Sequence, residues 1–388
     1  MRLFENKSAQ TVLGLLLTLL AIVLVRHTIS QGQDFDVFWR TARYVLDGQT
    51  TYSVQRDWAN VYKYPPWSVP AFFPFAMAPL WFAKWVWALL QVASLFYVGR
   101  FLANRVRRRR SVFIPLLLFW GIWVVHALDG QVNLMMLAGA LWASERFARV
   151  SVIQAPSIVW FLSLKIFTGL GVVGYLGVFR NWKAWASTVL VLGGLSLPSL
   201  WVAPRHSPAE LLASWSLAAS SAGALFHNEK VRGRDNQGLP ALVLRVAKVP
   251  AIEHRTDVYI AAGLALLLGL AWFFYSQGAR PLVRQAGWLA LIPVVHPLAW
   301  FHLFVFAFPI VVLAWDGAIA MRRQGWLALV LLATLLIAAF TQKTLGAFGL
   351  ALEMASVKSW GVLLAMFLAP HLFKAGRVTS AGLAPYRV

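Results

Sequence analysis

Pro65-Pro66-Trp67-Ser68-Val69-Pro70-Ala71-Phe72-Phe73-Pro74-Phe75-Ala76-Met77-Ala78-Pro79-Leu80-Trp81 decides how this chain is threaded. The stretch is apolar enough to cross a bilayer. Its five prolines each remove a backbone donor and fragment any helix. Counting it as a span would also carry the basic run Arg107–Arg110 to the outer side, against the bias of short basic loops toward the cytoplasm. Residues 65–81 are therefore read as an interfacial or re-entrant segment on the outer side.

From that choice the rest of the topology follows. Apolar stretches lie at 11–25, 84–103, 111–126, 132–148, 152–165, 169–179, 184–202, 258–275, 285–295, 299–320, 326–341 and 357–373, with short basic turns between many of them. Twelve spans with both termini in the cytoplasm put every such turn inside. The first span, following Arg2 and Lys7, has no small-residue cleavage pattern after it and is read as uncleaved. Two long loops, 26–83 and 203–257, are then external, and 376–388 is a short cytoplasmic tail. The expectation is an all-α integral membrane protein, a single polytopic domain over 1–375, in a cytoplasmic (inner) membrane.

Composition agrees. Hydrophobic residues make up 60% of 388 and charged residues 13%, which excludes an ordinary soluble enzyme and a disordered chain. The net charge of +21, from 35 Lys+Arg against 14 Asp+Glu, is assigned to basic loops meeting anionic lipid headgroups. No aromatic-basic module points to nucleic acid. Cysteine is absent, so disulfides and thiolate metal sites are excluded. No His/Asp/Glu grouping has metal-ligand spacing, and neither a metal nor another cofactor is expected.

In the first external loop, Phe35, Phe38, Trp39, Ala42, Val45 and Leu46 share one helical face, and Asp36, Arg40, Arg43 and Asp47 the other. This predicts an amphipathic helix over 34–47 at the membrane surface, ended by Gly48. Asp36 has Arg40 four residues on and is expected to pair with it. Asp34, at the helix start, is either an N-cap or a carboxylate held at the water–membrane boundary. Lys165 interrupts an apolar region; a lysine at mid-membrane depth costs about 2.5–3.5 kcal/mol, so it either snorkels to the headgroups or meets an anion. Asp129-Gly130-Gln131-Val132-Asn133 reads as an outer turn with a helix cap. The loop 203–257 carries Arg205, Lys230, Arg232, Arg234, Arg245, Lys248 and Arg255, either solvated charge or an anion funnel.

The strings Asp34-Phe35-x-Val37-Phe38-x-x-x-Ala42, Gly48-x-x-x-Tyr52, Tyr64-Pro65-Pro66, Gly130-Gln131-Val132-Asn133, Lys165-Ile166-Phe167, Asn236-Gln237 with Arg245 downstream, and Pro297-x-x-Trp300-x-His302 resemble, in that order, the family 87 glycosyltransferases. The sequence departs from that pattern at Thr168, Gly238, His296 and Leu303. The resemblance implies a GT-C-like helix bundle with external juxtamembrane helices. It also implies inverting transfer of a hexose, mannose above all, from a polyprenyl-phosphate donor to a glycolipid or lipid-linked glycan at the outer face. The leaving group is already a phosphate anion, so one general base and some cations suffice, in contrast to the two carboxylates of glycoside hydrolysis. Asp34 is the candidate base, with Asp36 and Asp129 as fallbacks. Lys165, His302 and Arg245 are candidates for the donor phosphate; Gln131, Asn133, Tyr64 and Asn236 are candidates for substrate contact. The competing reading is a transporter or flippase of lipid-linked saccharides. That reading asks for internal repeats and mid-membrane polar residues on several spans, and no repeat is evident.

Overall fold

A computed structural model describes residues 7–57, 60–146, 164–165, 190–191, 193–199, 207–224, 232–248 and 256–375. The described residues are helical, with no strand among them. The main helices are α1 (Lys7–Ser30), α2 (Gln33–Leu46), α3 (Leu80–Ala103), α4 (Arg110–Leu118), α5 (Trp120–Asp129), α6 (Asn133–Arg146) and α7 (Pro208–Ala224). They continue with α8 (Leu239–Ala247), α9 (Thr256–Tyr275), α10 (Pro281–Val295), α11 (Phe308–Met321), α12 (Gln324–Ala338), α13 (Gln342–Met354) and α14 (Val357–Ala375). Most coincide with an apolar stretch of the sequence.

Three of these segments are long and apolar enough to cross a membrane, or six if each bent pair is one span, among the described residues. Twelve spans are therefore not reached there. The expected spans at 152–165, 169–179 and 184–202 fall wholly or mostly outside the described residues, as does the tail 376–388. Three breaks are sharp: 50° between α1 and α2, 58° between α4 and α5, and 97° between α12 and α13. The apolar stretch 111–126 is not one continuous helix. The chain instead bends at Phe119 (φ −77°, ψ 6°), which ends α4 and leads into α5 while its amide still donates to the Pro115 carbonyl (2.9 Å). The long, exposed apolar helices make this a multi-pass membrane protein.

Burial sorts the helices into centre and rim. The segment Phe301–Met321, a 3-10 stretch (Phe301–Ala307) running into α11, is 94% buried, whereas α9 is 17% buried with Leu266, Leu267, Leu270 and Phe274 exposed. The first is the axis of the bundle, packed by α4, α10, α12 and α14; the second presents its leucines outward as a lipid-facing helix does.

Residues 65–81 form no span. They fold as a 3-10 turn (Pro66–Phe72) and a one-turn helix (Phe73–Ala76), the short pieces that repeated prolines leave available. α2 lies on them. Phe35 stacks on Trp87 (4.7 Å between ring centres) and Phe38 on Phe72 (4.7 Å). The apolar face of α2 is thus covered by protein rings rather than by lipid, and Leu46, expected on that face, is exposed. The expected Asp36–Arg40 pair is replaced by Asp36–Lys84 at 2.8 Å. Lys84 is anchored on α3 and also donates to the carbonyl of Gln31 (2.9 Å), so one ammonium ties the start of α2 to α3.

The two ends of the bundle differ in charge. Asp316, near the end of α11, accepts from the Arg108 amide and the Ser111 hydroxyl, both at 3.1 Å, so the basic turns at 105–110 and 322–323 meet at one end. α3, the α4–α5 pair and α11 each run between that end and the end that holds Asp36, Asp129 and His302.

Candidate functional site

Two glycines bring the acidic residues together. Gly32 (φ 53°) turns the chain from α1 into α2, and its amide donates to the Leu128 carbonyl (3.0 Å). Gly130 (φ 66°) ends α5 in the left-handed conformation that favours glycine. A Cβ on Gly130 would stand 3.0 Å from Gly32 Cα and 3.1 Å from Phe35 Cβ. The start of α2 and the end of α5 touch backbone to backbone, which sets Asp34 beside Asp129 and Gln131.

Asp34 is not the N-cap. Gly32 occupies that position, and Asp34 lies inside the first turn with its carboxylate turned toward Gln131. Gln131 Nε2 donates to Asp34 Oδ2; Oδ1 has no hydrogen-bond partner among the described residues. Lys165 Nζ donates to Gln131 Oε1 (2.6 Å), Tyr64 Oη reaches the same oxygen at 3.4 Å, and the Lys165 ammonium stands 5.3 Å from the Tyr64 ring centre. Asp129 Oδ2 accepts from His302 Nδ1 at 2.9 Å, leaving Nε2 without a partner among the described residues. Asn133, the first residue of α6, donates to the His302 carbonyl (3.3 Å), and its Oδ1 is buried without a hydrogen-bond partner among the described residues.

The site is therefore a largely buried constellation of two carboxylates, an ammonium, an imidazole, a phenol and an amide. Desolvation pushes the Asp34 carboxyl above its ordinary range, with His302 and then Lys165 opposing it. The Tyr64 phenol is raised, first by burial and then by the Asp34 charge, so it is a neutral donor.

Asn236 and Arg245 are not in this group. Asn236 is fully buried and grips the segment leading to His302: Nδ2 donates to the Pro297 carbonyl (2.6 Å) and Oδ1 accepts from the Ala299 amide (2.8 Å). The Gln237 amide donates to the Ala299 carbonyl (2.9 Å). Gly238 packs so closely on this segment that a Cβ would meet the His296 carbonyl at 2.5 Å, which leaves no room for the serine usual in the resembled motif. Arg245 spends Nη1 on the carbonyls of Arg232, Gly233 and Asn236 and Nη2 on Ser356 Oγ (2.6 Å). Both residues hold the loop that seats His302. Asp36 faces Lys84. Of the other loop cations, Arg205, Lys230 and Arg255 lie outside the described residues.

One buried chain was not among the candidates drawn from the sequence. His126 Nε2 accepts from the Leu134 amide (3.0 Å), so its Nδ1 carries the proton and donates to Gln91 Oε1 (3.0 Å). Gln91 Nε2 continues to Thr28 Oγ1 (3.3 Å). The signal was present: a polar residue inside each of two apolar runs.

Comparison with known proteins sets this geometry in a family. The family model for Glycosyltransferase family 87 matches residues 62–297, more than half of the chain. A protein of Mycolicibacterium smegmatis (strain ATCC 700084 / mc(2)155) is 24% identical over 319 residues, covering 76% of this chain and 72% of its own. Its name is polyprenol-phosphate-mannose-dependent alpha-(1-2)-phosphatidylinositol pentamannoside mannosyltransferase. No solved structure matches. With the motif strings in order and a family match across both the Tyr64 and the Asn236 regions, the chain belongs to glycosyltransferase family 87.

Proposed function

We propose that this glycosyltransferase moves a hexose, mannose by likeness to its mycobacterial relative, from a polyprenyl-phosphate donor to a glycolipid or lipid-linked glycan, with inversion. The observation that carries the reading is Asp34: a carboxylate with one oxygen held by Gln131 and the other without a hydrogen-bond partner among the described residues, beside an ammonium and an imidazole. In the reaction, Asp34 Oδ1 takes the proton of the acceptor hydroxyl as that oxygen attacks the anomeric carbon. The bond from that carbon to the phosphate oxygen breaks on the opposite face. Lys165, and His302 as an imidazolium whose Nε2–H faces the phosphate, meet the charge that grows on the departing group, and Asp129 orients His302 by accepting from Nδ1.

The raised affinity of Asp34 for its proton suits the role, because a base of higher pKa draws the proton more strongly. Asn133 Oδ1, buried and without a hydrogen-bond partner among the described residues, is an acceptor for a sugar hydroxyl. The site end of α3, α4–α5 and α11 is remote from the basic turns. That supports a site opening on the outer face of the inner membrane with both termini in the cytoplasm. The leaving phosphate's charge falls to Lys165 and His302, so we propose transfer without a metal or other cofactor. Turnover of purified protein is expected to survive EDTA, and loss restored by a divalent cation would reject that part.

The test is transfer of label from polyprenyl-phosphate-mannose to a lipid acceptor extract by purified protein. Asp34→Asn is expected to stay folded and membrane-inserted while turnover falls by at least about 100-fold, the lower end of what a general base contributes. Wild-type turnover in Asp34→Asn removes Asp34 from the mechanism.

A further inference from the structure

Gln131 sits between the two groups that the proposed reaction needs most, with 3% of its surface exposed. An ionised carboxylate only accepts hydrogen bonds and an ammonium only donates them. A primary amide has a donor at one end and an acceptor at the other. Here the amide is oriented by its neighbours: Nε2 faces Asp34, and Oε1 faces Lys165 and Tyr64. The two opposite charges are thus satisfied through a neutral side chain rather than by each other.

The amide is not there by accident of a loose loop. The Gln131 backbone donates to the His126 carbonyl (3.2 Å), the Trp87 indole donates to the Gly130 carbonyl (2.9 Å), and the Leu134 amide is held by His126 (3.0 Å). α3, α5 and α6 all fix where this side chain starts.

The consequence is electrostatic. A carboxylate in direct contact with a cation loses roughly one to three units of proton affinity, and the cation's donors are consumed. Such a pair would weaken the base and occupy the ammonium before any donor phosphate arrived. We infer that Gln131 is a positioning residue, an insulating amide that holds Asp34 and Lys165 near each other yet apart, leaving the base free for the acceptor hydroxyl and the ammonium free for the donor phosphate. This rests on Asp34 as base and Lys165 as phosphate ligand.

The experiment is the pH profile of kcat/KM and the donor KM for wild type, Gln131→Ala, Lys165→Met and the double variant, with Asp34→Asn alongside. In Gln131→Ala the lysine can reach the carboxylate. The acid limb is expected to move down by about one unit or more, turnover at neutral pH to fall by about ten-fold or more, and the donor KM to rise. Removing Lys165 as well should bring the limb back up, because the partner is gone, while Lys165→Met alone moves it less. An unmoved acid limb in Gln131→Ala, with only acceptor KM raised, makes Gln131 a sugar contact and overturns the inference. An unmoved limb with only a lowered Tm makes it a structural residue and does the same. If Gln131→Ala does not fold, Gln131→Ser is read by the same limb. Activity retained in Asp34→Asn would instead remove the base itself, a failure of the proposed function that the Gln131 profiles do not imitate.

Discussion

At Lys165 two requirements meet in one side chain. It must be charged to bind a phosphate, yet it ends an apolar stretch and its ammonium is held by the Gln131 amide oxygen rather than by a carboxylate. The activity profile should then have an alkaline limb where the lysine loses its proton, and an acidic limb set by Asp34 above the ordinary carboxylate range. The signs are opposite: Asp34 works deprotonated and fails as pH falls, and Lys165 works protonated and fails as pH rises. Lys165→Arg keeps the charge at every pH in range. Its alkaline limb is expected to vanish below pH ~10, even where altered geometry lowers the maximum. An alkaline limb that stays in place in Lys165→Arg assigns it to another group. The fork of arginine also clarifies Arg245, whose Nη atoms all bind backbone carbonyls or Ser356. A cation counted from sequence as an anion ligand is, in the fold, a clamp.

Among the elements, the contact between the start of α2 and the end of α5 matters most, because it has no side chain in it at Gly32 and Gly130. Gly130→Ala adds a methyl 3.0 Å from Gly32 Cα at a φ of 66°. α2 must then lift, carrying Asp34 away from Gln131. The backbone conformation alone costs on the order of 1 kcal/mol, and the crowded contact a further ~1–3 kcal/mol. The expected result is a lowered Tm with turnover reduced at least ~100-fold, since a shift of about an ångström in a reacting group is enough for that. Normal activity in Gly130→Ala would show that the acid's placement does not depend on this contact. A one-turn helix such as Phe73–Ala76 has little stability of its own; it is held by the rings of α2 and Trp87 above it.

On the scale of the whole molecule the bundle has one end that gathers Asp34, Asp129 and His302 and another that gathers the basic turns. The chain contains no cysteine, so single cysteines can report on each. Gly48→Cys, beyond α2, and Arg107→Cys, in the basic turn, are expected to react with a membrane-impermeant maleimide from opposite sides of sealed vesicles. Labelling of both from one side would collapse the proposed orientation.

Much of this was legible in the chain. Apolar runs of about 20 residues must be helices in lipid, because each backbone group needs a partner within its own segment. Proline spacing excluded a span at 65–81, and the face of Phe35, Phe38, Ala42 and Val45 was readable from period alone. Those are local properties, set by backbone hydrogen bonding and side-chain geometry within a few residues. The partner of Asp36, the cover over α2, the kink at Phe119, and the division of Asn236 and Arg245 from Asp34, Gln131 and Lys165 were decided by packing. Residues 34, 131, 165 and 302 are far apart in sequence. What they touch depends on how helices cross, and through-space contact and desolvation have no signature in the order of residues.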